Sequence, residues 1–122
     1  MKYFCISDIH GHYEEMMDAL DTSGFDSSNA DHMLVVNGDI VDRGPNCVEV
    51  LEYIYYLHTE GKAIVILGNH DKFLLDFLEG NYERTLFNFA KNGHEETIKQ
   101  LLNKDSIHED DFEEATKEIN IK

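Results

Sequence analysis

The sequence predicts an α/β fold: a β-α-β-α-β unit with three parallel strands, followed by short helices. Three observations predict it. First, three short apolar runs, YFCIS at 3–7, HMLVVN at 32–37 and KAIVIL at 62–67, lack clean polar alternation and read as strands buried on both faces. Second, the stretches between them carry helical periodicity. Third, each run ends in a polar cluster, and the clusters recur about thirty residues apart, which is one βαβ step. The 122 residues suit a single domain with one core, its motifs within 1–72 and a helical part over 73–122.

The elements follow in order. After the first strand, Tyr13, Met16, Met17 and Leu20 fall at i, i+3, i+4 and i+7, and Gly24 stops the helix. After the second strand, Cys47, Leu51, Ile54 and His58, with Val50 and Leu57, make a second stripe, with Gly61 at its end. Asn46 and Glu49 have capping-box spacing at its start. Right-handed crossovers make such strands parallel and bring the loops at their C-terminal ends to one edge. Beyond the third strand, FLLDFLEG, ERTLFNFAKNG and EETIKQLL read as short helices broken at Gly80 and Gly93. The acidic stretch 105–118, with Phe112, Ala115 and then Ile119 apolar, reads as a weaker helix.

Charge narrows the function classes. Ten basic residues against 25 acidic ones give −15. Such a field repels phosphate backbones, which argues against a nucleic-acid partner and favours cations. Two cysteines form no disulfide framework and suit a reducing cytoplasm. The start has no signal-peptide pattern, no run approaches the length of a membrane span, and no lipidation motif is present.

The polar clusters carry the chemistry. SDIHG offers Asp8 and His10, two ligand types on the same side of an extended backbone. NGDIVDRG offers Asp39, Asp42 and Arg43, and GNHD offers Asn69, His70 and Asp71. Each cluster alone is more often a turn or a helix cap. In this order, each after a strand, they assemble carboxylate and imidazole donors suited to a first-row divalent metal.

DIHG, GDIVDRG and GNHD resemble the signature of the calcineurin-like metallophosphoesterases, and within them the bacterial and phage-type serine/threonine phosphoprotein phosphatases. The resemblance covers residues 3–72. It implies the N-terminal half of a metallophosphoesterase sandwich with two divalent ions, manganese first, with iron, zinc or nickel as alternatives. Asp8 and His10 would bind one ion, Asp39 would bridge both, and Asn69 would bind the second. His70 would protonate the leaving oxygen, Asp42 would orient His70, and Arg43 would hold the phosphate. A hydroxide between the ions would attack phosphorus. Asp71 would support its loop as an acceptor. The substrate implied is a phosphoserine or phosphothreonine protein, or a small phosphoester. The alternatives are a symmetrical diadenosine-tetraphosphate hydrolase and a non-catalytic metal- or partner-binding remnant.

The family's second half supplies further strands and two more metal-binding histidines. Neither NGHEE nor SIHED follows an apolar strand, so neither matches them. His32, His58, His94 and His108 read as surface or edge residues, and His12 as a neighbour of the site. The expectation is one weak metal site or none, and an apolar sheet face left open. A homo-oligomer would cover it, or the chain is a phosphatase shortened in its gene or by proteolysis, with its helices repacked.

Overall fold

The protein is described here from a computed structural model covering residues 1–82, 93–104 and 112–121. Strand β1 spans Lys2–Ile6, helix α1 Tyr13–Ser23, β2 His32–Asn37, α2 Cys47–Thr59, β3 Ala63–Ile66 and α3 Asn69–Leu78. Two further helices follow, α4 (His94–Leu102) and α5 (Phe112–Ile121). The strands form one parallel sheet in the order β1-β2-β3. The expected β-α-β-α-β unit is therefore present. The expected helix over 83–92 and the stretch 105–111 lie outside the described residues.

Register explains how the sheet divides its side chains. Phe4 pairs with Leu34 and Leu34 with Ala63, and one residue on, Cys5 pairs with Val35 and Val35 with Ile64. The first set faces the core. Leu34 and Val36 are fully buried there, with Met16 and Leu20 of α1 and Val50, Ile54 and Leu57 of α2. The second set faces outward. Tyr3, Ile64 and Ile66 are 62%, 47% and 51% exposed, and Cys5 is exposed too. Burial on both faces, expected from the continuous apolar runs, is thus corrected, and the open apolar face is observed. Both crossover helices pack on the core side, and no described element covers the other.

A second cluster joins the helical part to the first. Phe77 of α3, Ile98 and Leu102 of α4, and Phe112 and Ala115 of α5 are all buried. Phe77 meets Phe112 edge to face, with ring centroids 5.5 Å apart and an interplanar angle of 82°. Such pairs add roughly 0.5–1.5 kcal/mol to the area they bury. This cluster fixes where α4 sits, and α4 reaches the site.

Local details adjust the sequence reading. Helix α1 ends as expected at Gly24, whose φ of 87° lies in the left-handed region. Asn46 is the N-cap of α2, but its side chain makes no capping hydrogen bond. Its backbone N–H donates instead to Gly11 O at 2.9 Å, tying the cap residue to the first polar loop. GNHD is not a free loop, because α3 already begins at Asn69 with Gly68 as N-cap.

Candidate metal centre

The three polar clusters converge because their backbones bond to one another. His10 N–H donates to Asp39 O at 3.0 Å and Gly11 N–H to Ile40 O at 2.9 Å. Ile40 N–H donates to Asp71 Oδ1 at 2.8 Å, and His70 N–H to Asp39 Oδ1 at 3.0 Å. Asp71 Oδ2 also accepts Gly68 N–H at 2.9 Å, so Asp71 supports its loop as expected. Beneath this lattice Ile9, Ile40 and Val41, the apolar residues within the motifs, are buried and anchor the loops to the core.

Two glycines permit this closeness. A Cβ at Gly44 would strike the backbone of His10 and Gly11, and one at Gly68 would strike the backbone N and Oδ1 of Asp39. The side chains above them sit on strained backbone. Six described non-glycine residues have positive φ, and five are Asp8 (54°), His10 (44°), Asp39 (52°), Asp42 (74°) and Arg43 (75°). The left-handed region costs on the order of 1–3 kcal/mol per residue and concentrates at functional sites. This corrects the extended geometry expected for Asp8-Ile9-His10. The two side chains approach each other through left-handed turns.

Asp8, His10 and Asp39 each offer one ligand atom, all within 4.8 Å of one another. His10 Nδ1 lies 2.9 Å from Val41 O, so that nitrogen donates to the carbonyl and Nε2 keeps its lone pair. Nε2 lies 3.9 Å from Asp8 Oδ1, too long for a hydrogen bond. Two ligands of a first-row ion, each about 2.1 Å from it, are at most about 4.2 Å apart. The donor types suit a divalent ion, and the 3.9 Å between Nε2 and Asp8 Oδ1 falls inside that limit. Asn69 is exposed at the first turn of α3, between Gly68 and His70, both of which border Asp39.

Beside this cluster lies a buried His–Asp pair. His70 Nδ1 is 2.8 Å from Asp42 Oδ2, and the His70 ring meets His10 edge to face at 4.7 Å. Asp42 is fully buried. Its Oδ1 faces His94 Nδ1 at 3.0 Å and accepts the Thr97 hydroxyl at 2.5 Å. Burial by itself raises the carboxyl's pKa. The bond from His94, the charge that ring can carry, and the bonds from Thr97 and His70 outweigh burial and hold Asp42 below the ordinary carboxylate range. An ionised carboxylate only accepts, so both rings present Nδ1–H to it. Arg43 is exposed, and its backbone N–H donates to Gly93 O at 2.9 Å.

His94 overturns its surface reading: it is fully buried at the first turn of α4. A hydrophilic residue after a glycine reads as a cap, and nothing in its neighbours announces burial. Thr97 and Gln100 were missed as well. Gln100 Nε2 donates to Gly44 O at 2.8 Å, and Gln100 Oε1 accepts Cys47 N–H at 2.5 Å. The available signal was spacing: His94, Thr97 and Gln100 fall at i, i+3 and i+6, a polar seam on a helix whose Ile98 and Leu102 are apolar. Of the other histidines, His12 and His58 are exposed, which fits the edge reading of His58 and removes it from the buried stripe of α2. His12 borders an open cavity of about 420 Å³ with Asp8, Ile9 and Met16. His32 is half-buried against Phe4 and Phe25. His108 lies outside the described residues.

A parallel sheet whose strand ends gather carboxylates, an imidazole and a buried His–Asp pair defines a class, the hydrolases built around divalent metals. Residues 1–118 match the calcineurin-like phosphoesterase family, and the chain belongs to it. The symmetrical bis(5'-nucleosyl)-tetraphosphatase of Buchnera aphidicola from Acyrthosiphon pisum (strain Tuc7) is 42% identical over 71 residues, covering 58% of this chain and 24% of that protein. The asymmetrical bis(5'-nucleosyl)-tetraphosphatase of Bacillus velezensis is 37% identical over 85 residues, covering 65% of this chain and 34% of that protein. This chain therefore spans about a quarter to a third of these curated relatives. The crystal structure of a candidate diadenosine tetraphosphatase superposes with a TM-score of 0.55 at 28% identity, over 78% of this chain and 40% of the other. A mutant cold-active protein tyrosine phosphatase superposes with a TM-score of 0.54 at 25% identity, over 84% and 31%. No helix among the described residues is long and apolar enough to cross a membrane.

Proposed function

We propose that the chain carries the metal-holding and proton-donating part of a hydrolase that cleaves dinucleoside tetraphosphates. The observation that carries this reading is the junction of the Asp8–His10–Asp39 cluster with the buried His70–Asp42 pair. The relatives named above favour the phosphoanhydride substrate over the phosphoprotein that the motifs first suggest.

Asp8, His10 and Asp39 would hold a divalent ion, manganese first, and Asn69, with the second oxygen of Asp39, would serve a second one. Bound there, such ions neutralise phosphate charge and make water acidic enough to act as a nucleophile at neutral pH. The protein's own groups do the rest. Arg43, exposed and forked, pairs with two phosphate oxygens and orients the chain of phosphates. Asp42 accepts from His70 Nδ1–H and its charge stabilises the ring when Nε2 is protonated as well, so that Nε2 gives its proton to the leaving oxygen and Nδ1 keeps its own.

A second reading, hydrolysis of phosphoproteins, draws on the likeness to the cold-active protein tyrosine phosphatase. Manganese-dependent release of mononucleotides from symmetrical diadenosine tetraphosphate, measured beside phosphate release from phosphopeptides, separates the two. The dinucleotide reading expects the first activity to dominate and to vanish in Asp39→Asn. Faster phosphopeptide turnover overturns it. Calorimetry that detects no manganese binding overturns both.

A further inference from the structure

His94 and Thr97 stand outside every motif, yet they supply two of the three side-chain donors on the Asp42 carboxylate among the described residues. The third donor is His70, on the opposite oxygen. We propose that His94, with Thr97, is a positioning residue for phosphoester hydrolysis: it holds Asp42 Oδ1 so that Oδ2 alone faces His70 and fixes His70 in its Nδ1–H form. The inference deepens the reading of His70 as proton donor and rests on it.

The surroundings make this a built device. His94 is fully buried, and its Nε2 has no hydrogen-bond partner among the described residues. Its ring lies edge-on to Phe73 at 6.2 Å and to Phe77 at 6.3 Å. A fold that needed only to fill this space would use leucine or phenylalanine, without the cost of an unpaired polar atom. The imidazole earns its position through Nδ1 alone. Thr97 acts at the same point twice. Its hydroxyl donates to Oδ1 and accepts Asp42 N–H at 2.8 Å, so backbone and carboxylate are held together. Without these groups the carboxylate can turn or take up a proton. A protonated Asp42 donates to His70 Nδ1, which reverses the bond and moves the His70 proton to Nε2. A ring in that form has lost the anionic partner that stabilises its doubly protonated state, the state in which Nε2 gives its proton away and Nδ1 keeps its own.

Asparagine tests this cleanly, because its amide N–H₂ lies where the Nδ1 of histidine lies, whereas leucine fills similar space with no donor. NMR of isotopically labelled histidine rings at one fixed pH reads the His70 tautomer directly, without metal or substrate. Wild type and His94→Asn are expected to show His70 as Nδ1–H with a far-downfield ring proton. His94→Leu is expected to lose that proton and move toward Nε2–H. Thr97→Val, nearly isosteric and independent of His94 packing, is expected to shift it in the same direction. An unchanged His70 tautomer in folded His94→Leu or in Thr97→Val overturns the proposal.

Turnover with manganese supplies the second arm. On an alkyl phosphate, whose leaving oxygen needs a proton, kcat in His94→Leu should fall roughly 10–100-fold with KM unchanged, and recover in His94→Asn. On p-nitrophenyl phosphate, whose leaving group needs little help, the loss should be much smaller. A tautomer change with equal losses on both esters supports the positioning role and overturns the reading of His70 as proton donor.

Discussion

Replacing Gly68 with alanine tests whether the site's geometry, and not simply its ligand types, creates metal affinity. Gly68 has φ −92° and ψ −176°, extended backbone that alanine adopts freely, so the substitution carries no conformational strain. Its whole effect is the methyl group, which lands on the backbone N and Oδ1 of Asp39. Restoring an ordinary contact of about 3.5 Å requires Asp39 to move by roughly 1 Å. A displacement of that size at the carboxylate assigned to the metal should cost at least the roughly 10–100-fold in metal affinity that losing a supporting hydrogen bond costs, equivalent to about 1.4–2.7 kcal/mol. Crowding alone costs stability by about 1–3 kcal/mol. Gly24→Ala is the matched control. Gly24 has φ 87° and open space around its absent Cβ, so alanine there costs about 1–2 kcal/mol through backbone strain alone. Manganese calorimetry beside urea unfolding should show both variants destabilised and only Gly68→Ala weakened in metal binding. Wild-type affinity in Gly68→Ala, or an equal loss in Gly24→Ala, refutes the reasoning.

Other outcomes follow from burial and charge. The lowered pKa of Asp42 means that its ionisation stabilises the fold fully above the ordinary value of 3.8, and that this contribution disappears as pH falls through the lower folded value. The gap in urea midpoint between wild type and Asp42→Asn should therefore be constant above pH 3.8 and close below it. Burial, the largest influence, raises the pKa of the Cys47 thiol, and the negative charges of Asp42 and Glu96 add to it, whereas Cys5 is exposed. Iodoacetamide on the native protein should modify Cys5 and spare Cys47, as read by peptide mass spectrometry. On the sheet, Leu34→Ala should cost about 2–5 kcal/mol and Ile64→Thr within about 0.5 kcal/mol, both measured by urea unfolding. A large loss in Ile64→Thr would show that the outer face is covered in solution.

The strands, the crossover helices and the loops at the strand ends were legible because each depends on local pattern. HMLVVN at 32–37 is β2 to the residue, since its apolar run is bounded by polar residues on both sides. The motif residues converge because parallel crossovers leave them no other edge. What stayed hidden depends on distance in sequence. Burial of His94 is decided by Phe77 and Phe112, which place α4 across the second loop. The left-handed turns at Asp8 and His10 were hidden for a similar reason. Bonds from His10 and Gly11 to Asp39 and Ile40 hold them, and an isolated DIHG segment would lack those partners. Two-faced burial failed because an apolar run records what a strand can bury and not what lies over it.

The dependence of Asp42 on α4 also sets an order of assembly during synthesis. Twenty-seven residues separate His70 from Thr97, so at about 5–20 residues per second a ribosome takes on the order of 1–5 s to add the second after the first. During that interval the donors for one metal ion and the His70–Asp42 pair already exist in the nascent chain, while Oδ1 of Asp42 still lacks both of its partners from α4. On the proposed reading, the residues assigned to the metal are therefore all synthesised before the helix that steadies the group assigned to the proton.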